Sequence, residues 1–380
     1  MIKSFTAVTR EIDEAEIAVE EIMAALEPKK NLLKNSLGII SCYSEFVETG
    51  VLKAICDALP FDCIGSTTCI SSAGKQTDRM ILSLVVLTSD DCSFETKAIP
   101  IAAEKYEETV NSALSPLMDR SGEKPVLLLG YFPLMNVSGN MILTAIDKTT
   151  GGIPLFGTAA IDHNPDFSTS QTIHNGEAFR EAAVVGLIYG NVNYTFELAS
   201  LNADKIRKQQ AIITEANGNT LIGVNGKVAL EYLEEIGLKK TDFDKVFMPL
   251  VVGHKDGTRP VARGILSFTP EGHAFCGGEM TVGATLAVGR VDMEDVISTT
   301  EDILKTLVQK ESTVLSYSCL VRYLTLGTKF TAEADKMGEV CGDMNYLYAS
   351  AGGEICPIPD ESGKLKNYFH NYTNVFCRLS

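Results

Sequence analysis

The spacing of hydrophobic residues along the chain predicts a mixture of amphipathic helices and buried strands. Near the N-terminus, hydrophobic residues recur at helical spacing from Ile12 to Leu26, with Asp13 as a candidate N-cap and Pro28 as the end of the helix. Residues 80–88 form a continuous run rich in leucine and valine, which is typical of a central strand buried on both faces. Other runs of strand length lie at 37–42, 126–129, 182–189, 246–252 and 314–319.

Turn residues separate these elements. Asn175-Gly176 is the pair that a two-residue type I′ turn prefers, so we predict a β-hairpin around it. Residues 270–272 (Pro-Glu-Gly) predict a second hairpin turn. Residues 216–219 (Ala-Asn-Gly-Asn) are the segment most typical of a linker. Further helices are predicted at 47–59, 101–118, 138–148, 227–236, 293–309 and 331–340.

The order of these elements indicates the fold class. Strands occur in groups of two to four, with helices between some of them, and regular βαβα alternation is missing. We therefore predict an α+β protein of two domains, each a mixed, largely antiparallel sheet with helices packed outside. The predicted domains are residues 12–216 and 217–380. The sequence shows no repeat of fixed period.

Composition and charge exclude some classes of protein. Hydrophobic residues make up 45% of the 380, which is too many for an intrinsically disordered chain. The 33 basic and 49 acidic residues give a net charge of −16, and no basic run offsets it, so we expect no nucleic-acid partner. Residues 1–216 carry −11 of this charge, and 217–380 carry −5. The acidity indicates a solvated surface on the first domain.

Membrane and metal signatures are missing from the sequence. No apolar run is long enough to span a bilayer, and the N-terminus has no signal-peptide pattern. The ten cysteines contain no CxxC pair, which favours reduced thiols and a cytoplasmic location. No two of the five histidines are four residues apart, so we expect no metal site. Phosphate-loop, GxSxG and HExxH motifs are also missing.

The C-terminal third contains three short polar motifs. Cys319 and Arg322 lie at the end of a predicted buried strand. The arginine cation would lower the pKa of the Cys319 thiol. Its guanidinium is suited to binding a carboxylate or a phosphate. Glu354, after a glycine pair that ends in Gly353, could pair with an arginine or accept from an amine. A third motif, His370-Asn371, opens the last strand. A core cysteine, a surface arginine and ordinary turn chemistry would explain the same residues.

Taken in order, these motifs resemble the FIST C domain: Ser-Cys-x-x-Arg at 318–322, Gly-Glu-Ile at 353–355 and His-Asn-x-Thr at 370–373. The preceding half resembles the FIST N domain through residues 64–67, the strand end 153–157 with Asp162, and the 175–176 hairpin. The resemblance covers about residues 12–380. It implies a sensory module that binds a small ligand such as an amino acid.

From this resemblance we expect a small-molecule ligand, bound at or near the interface of the two domains, and a signalling-protein partner. The expected ligand-binding residues are Cys319, Arg322, Gly353, Glu354, His370, Asn371, Gly157 and Asp162. An Arg–Glu pair suits a zwitterion, and it also suits a structural salt bridge.

Three alternatives remain open. A haem-based sensor of nitric oxide would need an axial ligand, although we expect no cofactor. An enzyme would use Cys319 as nucleophile and His370 as base, although we expect no catalytic residue. A scaffold would bind only another protein.

Overall fold

The computed structural model describes residues 2–102, 104–119, 122–164, 166–243, 248–254 and 258–380. The helices in these residues are α1 (Ala15–Leu26), α2 (Pro28–Asn31), α3 (Glu45–Glu48), α4 (Val51–Ala58), α5 (Tyr106–Leu114), α6 (Gly139–Thr150), α7 (Ala229–Glu235), α8 (Met293–Leu307), α9 (Leu320–Leu326) and α10 (Ala332–Cys341). None of them is both long enough and apolar enough to cross a membrane.

The strands of the first half are β1 (Lys3–Thr9), β2 (Asn35–Cys42), β3 (Cys63–Thr67), β4 (Ser71–Ala73), β5 (Gln76–Asp78), β6 (Leu82–Ser89), β7 (Ser93–Pro100), β8 (Pro125–Phe132), β9 (Leu155–Ala159), β10 (Thr172–His174), β11 (Glu177–Phe179), β12 (Ala182–Tyr189) and β13 (Tyr194–Ala199). Those of the second half are β14 (Ala211–Asn217), β15 (Thr220–Val224), β16 (Lys227–Val228), β17 (Leu250–Val252), β18 (Val261–Arg263), β19 (Ile265–Phe268), β20 (Ala274–Cys276), β21 (Thr285–Val288), β22 (Thr313–Cys319), β23 (Tyr346–Ala351), β24 (Glu354–Pro359), β25 (Leu365–His370) and β26 (Asn374–Leu379).

Three units of the same topology follow one another along the chain. Each has four strands, and the last strand lies between the first and the second. The resulting sheet orders are β1-β6-β2-β3 in the first unit, β7-β12-β8-β9 in the second and β13-β26-β22-β23 in the third. In each unit the second and third strands are parallel, and the other neighbours are antiparallel. The structure therefore contains a threefold repeat of topology that the sequence pattern did not show.

Each unit also sends a hairpin to a different unit. The β4–β5 hairpin of the first unit pairs with β23 of the third. The β10–β11 hairpin of the second pairs with β3 of the first, and the β24–β25 hairpin of the third pairs with β9 of the second. Each hairpin covers the third strand of its target sheet, so no unit has a complete sheet on its own. The three units form a closed ring of exchanged hairpins.

A fourth sheet is inserted into the third unit between β13 and α8. Its strand order is β18-β17-β21-β14-β15-β20-β19, with β16 on β15, and all its pairs are antiparallel. We call it the inserted sheet. It has its own hydrophobic cluster, to which α7 contributes Ala229, Tyr232 and Leu233.

One hydrophobic core is shared by the three units. Their sheets contribute residues such as Val85, Leu129 and Val375 to a single buried cluster. Within it, the hydroxyl groups of Tyr131 and Tyr317 are hydrogen-bonded at 2.6 Å. The opposite faces of the sheets pack against α1 and α4, α5 and α6, and α8 and α10. This arrangement fixes the three sheets relative to one another.

The predicted α+β class and mixed sheets are confirmed. The 80–88 run forms β6, which is buried along its length and lies between β1 and β2. At the predicted type I′ turn, Asn175 and Gly176 both have positive φ and connect β10 to β11. The predicted helix 47–59 is two helices, because Gly50 adopts a left-handed conformation between them.

The predicted linker at 216–219 is the turn of a hairpin, in which Asn217 pairs with Thr220 between β14 and β15. The first two residues of the predicted strand 246–252 lie outside the described residues, and the strand appears as β17. Hairpin exchange also places strands from both sides of 216/217 in two of the sheets. The domain boundary at 216/217 itself stays a prediction.

Hairpin exchange predicts that the chain cannot be divided at 216/217 into two stable parts. A fragment of residues 1–216 lacks β24 and β25, and a fragment of residues 217–380 lacks β4, β5 and β13, so both expose unpaired strand edges. We expect each fragment to unfold without cooperativity in urea, and the mixture to recover a cooperative transition, measured by circular dichroism. Cooperative unfolding of the isolated 1–216 fragment would contradict this expectation.

Candidate functional site

The three C-terminal motifs meet where β22, β24 and β25 end or begin. Cys319 is the last residue of β22, and its N–H donates to the Thr373 carbonyl at 2.9 Å. Glu354 begins β24 and lies opposite His370 in the ladder with β25. Asn371 follows His370 in the turn that leads to β26. We call Cys319, Gly353, Glu354, His370 and Asn371 the junction site.

The Glu354 carboxyl is fully buried and only half satisfied. Its Oε2 accepts hydrogen bonds from the Thr373 hydroxyl at 2.7 Å and from the Thr373 N–H at 3.3 Å. Its Oε1 accepts no hydrogen bond from an N–H or O–H group, and the weakly donating Cys319 thiol is the other group beside the carboxyl. Burial raises the pKa of Glu354 to about 8, against the opposing effect of hydrogen bonds from Thr373 and Cys319. At pH 7 this carboxyl is therefore mainly neutral.

The two polar residues of the third motif are also buried. His370 donates from Nε2 to the Cys356 carbonyl at 3.0 Å, and burial lowers its pKa to about 3, so the ring is neutral. Asn371 donates from Nδ2 to the His370 carbonyl at 2.9 Å, whereas its Oδ1 has no partner. Together with Glu354, the junction site therefore holds two buried oxygen atoms that accept no hydrogen bond.

Cys319 is not placed as an activated nucleophile. It is 4% exposed, and burial together with the nearby Glu354 raises its pKa well above the ordinary value. An activated thiol needs the opposite shift. Cys319 is the N-cap residue of α9, and the N–H groups of Tyr372 and Val321 lower its pKa, but burial outweighs them. His370 is held neutral by burial and uses its Nε2 proton for a backbone carbonyl. These observations give no support to the cysteine-enzyme alternative.

Arg322 lies in a different buried network. Its Nη2 and Nε lie 2.7 and 3.0 Å from Glu333 Oε1, and Nη2 also donates to the Val296 carbonyl at 2.7 Å. Glu333 is fully buried and accepts further bonds from Thr300, Ser318, Tyr348 and Asn374. Arg322 thus forms a structural salt bridge with Glu333 and does not pair with Glu354. A ligand contact from Arg322 stays a prediction.

The two predicted glycines allow close approaches that a side chain would prevent. Gly353 has φ of 156°, and a Cβ there would collide with the Phe369 ring. A Cβ at Gly157, in β9, would collide with the Gly130 carbonyl of the parallel strand β8. β9 also pairs with β24, so Gly157 lies near Glu354 in the sheet.

Asp162 is 1% exposed and closes a loop. Its Oδ1 accepts from the Asn164 N–H at 2.9 Å, and its Oδ2 accepts from the Thr169 N–H and hydroxyl, both at 2.6 Å. No described hydrogen bond joins it to the junction site.

Two buried residues of this region were not predicted from the sequence. Glu333 lies on α10, eleven residues beyond Arg322, and its carboxylate neutralises the Arg322 side chain on α9. Arg263, at the end of β18, is 4% exposed and donates from Nη1 to the Phe369 carbonyl at 2.8 Å. The helical spacing around Glu333 gave some indication of an inward position. No sequence signal placed Arg263 near the motifs.

Two surface clefts lie away from the junction site. One, of ≈ 300 Å³, is lined by residues of α5 and α6, including Glu107 and Lys148. The other, of ≈ 720 Å³, lies beside the inserted sheet and is lined by residues including Lys205, Arg207 and Arg290. No predicted site residue lines either cleft. Within the described ranges, no group of three or more His, Cys, Asp or Glu side chains could hold a metal ion.

The buried Arg322–Glu333 pair predicts a large loss of stability when one partner is removed. Arg322→Met leaves a carboxylate buried without its cation, so we expect the free energy of unfolding in urea to fall by about 3–5 kcal/mol. As a control, Lys53→Met removes the exposed pair with Asp57 and should cost less than about 1 kcal/mol. Equal effects of the two substitutions would contradict a structural role for the buried pair.

The shifted pKa values predict an unusual pH dependence. The His370 pKa of about 3 lies below its ordinary 6.5, so the unfolded chain binds more protons between these values and stability rises with pH up to 6.5. The Glu354 pKa of about 8 lies above its ordinary 4.5, so the folded chain binds more protons and stability falls as pH rises towards 8. Of these two effects, that of Glu354 is the larger above pH 6.5.

The test is urea unfolding at pH 6.5 and pH 8 of the wild type, Glu354→Gln and the exposed control Glu215→Gln. We expect the wild type and the control to lose stability between these values, by at most about 1.4 kcal/mol per pH unit from this group. Glu354→Gln should show a smaller loss. The same loss in all three proteins would mean that Glu354 has an ordinary pKa.

Comparisons with known proteins agree with the sequence motifs. The FIST N domain matches residues 36–227, and the FIST C domain matches residues 227–357. No curated protein matches the chain. Among solved structures, cyanuric acid hydrolase from A. caulinodans is similar at 8% identity with a TM-score of 0.40, covering 100% of this chain and 99% of that chain. Because the FIST N match alone covers half of the residues and FIST C follows it, the chain belongs to the FIST family.

Proposed function

We propose that this protein is a cytoplasmic sensor that binds a small polar metabolite, such as an amino acid, at the junction site. FIST domains are associated with small-ligand sensing in signal transduction. The observation that carries the proposal is a pair of buried oxygen atoms, Glu354 Oε1 and Asn371 Oδ1, neither of which accepts a hydrogen bond from an N–H or O–H group.

Unpartnered buried oxygens are costly, and this cost favours a ligand at the junction site. A buried acceptor that loses its hydrogen bond to water costs about 1–3 kcal/mol. Most buried polar groups in proteins are therefore paired, as Glu333 is in the same half of this chain. A ligand with N–H donors would supply the missing bonds of Glu354 and Asn371. An ammonium group has three such donors and no acceptor.

The position of the junction site suits a sensor that couples different parts of the fold. β24 carries Glu354 and pairs with β9, which comes from the part of the chain before residue 216. Sites between units are common for small ligands. The β25–β26 turn also contacts the inserted sheet, where Gly264 packs against the Tyr372 ring and Gly277 against Asn371. A ligand held there would touch the ring of units and the insertion together.

Access to the buried site requires movement of the inserted sheet relative to the β25–β26 turn. Because Glu354 and Asn371 are buried, a ligand reaches them only while the two parts are separated, and a bound ligand favours a spacing of the two parts that differs from that of the free protein. This change in population is the signal that a partner protein would read. The ten free and buried cysteines suit a reducing cytoplasm.

Thermal unfolding with each of the twenty L-amino acids tests the proposal. A ligand that binds only the folded state raises the melting temperature, by an amount that grows with its concentration over Kd. We expect at least one amino acid to raise the Tm of the wild type and of Glu215→Gln. Glu354→Gln should lose that rise, because the amide offers the ammonium no negative charge.

Two results would contradict the proposal. One is a Tm that none of the amino acids changes. The other is a rise that persists unchanged in Glu354→Gln and in Asn371→Ala, which would place the binding site elsewhere in the protein.

A further inference from the structure

A second buried arginine lies near the junction site. Within the described residues it forms no ion pair like that of Arg322, while longer-range charge interactions with Glu279 and Glu354 favour its cation. Arg263 is 4% exposed at the end of β18. Its Nε donates to the Glu279 carbonyl at 3.3 Å, and its Nη1 donates to the carbonyls of Ala262 at 3.1 Å and Phe369 at 2.8 Å. No carboxylate of the described residues forms an ion pair with it.

The missing ion pair matters because a buried cation without an anion in contact is unfavourable. Burial lowers the pKa of Arg263 to about 10, yet the guanidinium still carries its charge at neutral pH. The planar fork of guanidinium is suited to a bidentate contact with a carboxylate. Three backbone carbonyls orient the group, and none of them supplies a full negative charge.

Ladder positions and close contacts place Arg263 next to the two unpartnered oxygens. Phe369, whose carbonyl it bonds, pairs with Ile355 in the ladder, and the next pair is His370 with Glu354. The turn after β20 brings the backbone close to both Arg263 and Asn371. A Cβ at Gly278 would lie 2.7 Å from Arg263 Nε, and a Cβ at Gly277 would lie 2.9 Å from Asn371 Oδ1. Glycine at both positions permits these approaches.

We propose that Arg263 binds the anionic group of the ligand, while Glu354 Oε1 and Asn371 Oδ1 accept hydrogen bonds from its amine. This inference rests on the proposed function and adds to it a residue from the inserted sheet and the residues that meet each end of the ligand. The ligand is a small zwitterion with its cation and anion a few bonds apart. Its anion and cation join the inserted sheet to the β24–β25 hairpin, so binding one molecule connects both parts.

The proposal has a consequence for protons. The titratable and charged groups that face Glu354 are Cys319 from β22, His370 from β25, Arg263 from β18 and Arg322 from α9. The Glu354 carboxyl is mainly neutral at pH 7, and an ammonium group beside Oε1 favours its ionised form. The ligand keeps its own proton, and Glu354 gives one to the buffer. Binding at pH 7 therefore releases about one proton per ligand.

Isothermal titration calorimetry of the full chain at pH 7 tests the assignment. The probes are the L-amino acids, their primary amides, which lack the anion, and their N-acetyl derivatives, which lack the cation. We expect both derivatives to bind the wild type at least about tenfold more weakly than the parent amino acid. Titrations in phosphate and in Tris should differ in heat by the release of about one proton.

Variants distinguish the two ends of the ligand. Arg263→Gln should weaken the parent amino acid at least about tenfold and remove the difference between acid and amide, whereas the exposed control Arg180→Gln should behave as the wild type. Glu354→Gln should abolish proton release. Since the ligand series uses only wild-type protein, the assignment remains testable if Arg263→Gln does not fold.

Each contrary result has a distinct meaning. If an amino acid and its amide bind the wild type equally, the assignment of Arg263 is wrong while the proposed function stands. If Glu354→Gln binds the parent amino acid as tightly as the wild type, or if binding releases no proton while Glu354 of the free protein titrates near pH 8, the amine does not meet Glu354 and the assignment is also wrong. If no amino acid binds the wild type, the inference and the proposed function both fail.

Discussion

The exchange of hairpins among the three units is the constraint on which the rest of the structure depends. An uncovered strand edge exposes unpaired backbone groups, and here β3, β9 and β23 are each covered by a hairpin from another unit. The exchange also creates the junction site, because Glu354 is the first residue of the hairpin that crosses to β9. The register within this hairpin sets His370 opposite Glu354, and the chain then enters the Asn371 turn. The site therefore belongs to the assembled ring of units.

The two buried arginines differ in their partners, and this difference distinguishes a structural residue from a candidate ligand contact. Arg322 has a buried carboxylate with six hydrogen bonds, so its charge is neutralised inside the protein. Within the described residues Arg263 hydrogen-bonds only backbone carbonyls, and it has charge interactions but no ion pair with Glu279 and Glu354. Breaking a satisfied pair costs stability, whereas filling an unsatisfied site increases it. A zwitterion would neutralise Arg263 and satisfy Glu354 at once.

Local signals in the sequence predicted local structure, and they did not predict which strands pair over long distances. Asn175-Gly176 predicted its hairpin because both residues take positive φ, and the 80–88 run predicted β6 because both faces are buried. Prolines at 357 and 359 argue against a strand, so β24 was not predicted from the sequence. In the structure it pairs with β9 and β25. The three C-terminal motifs lie together because each stands at a strand end, and their role in binding a ligand stays a prediction. The partner of Arg322 and the approach of Arg263 depend on tertiary contacts that no local pattern records.

The most direct test of the account is the ionisation state of Glu354 with and without ligand. Protein labelled with ¹³C at glutamate carboxyls gives a signal that Glu354→Gln removes and thereby assigns. In the free protein this signal should titrate near pH 8. With a saturating L-amino acid that raises the melting temperature, Glu354 should be ionised at pH 7. A carboxyl that titrates near 4.5 in the free protein, or that the amino acid leaves unchanged, would contradict the account.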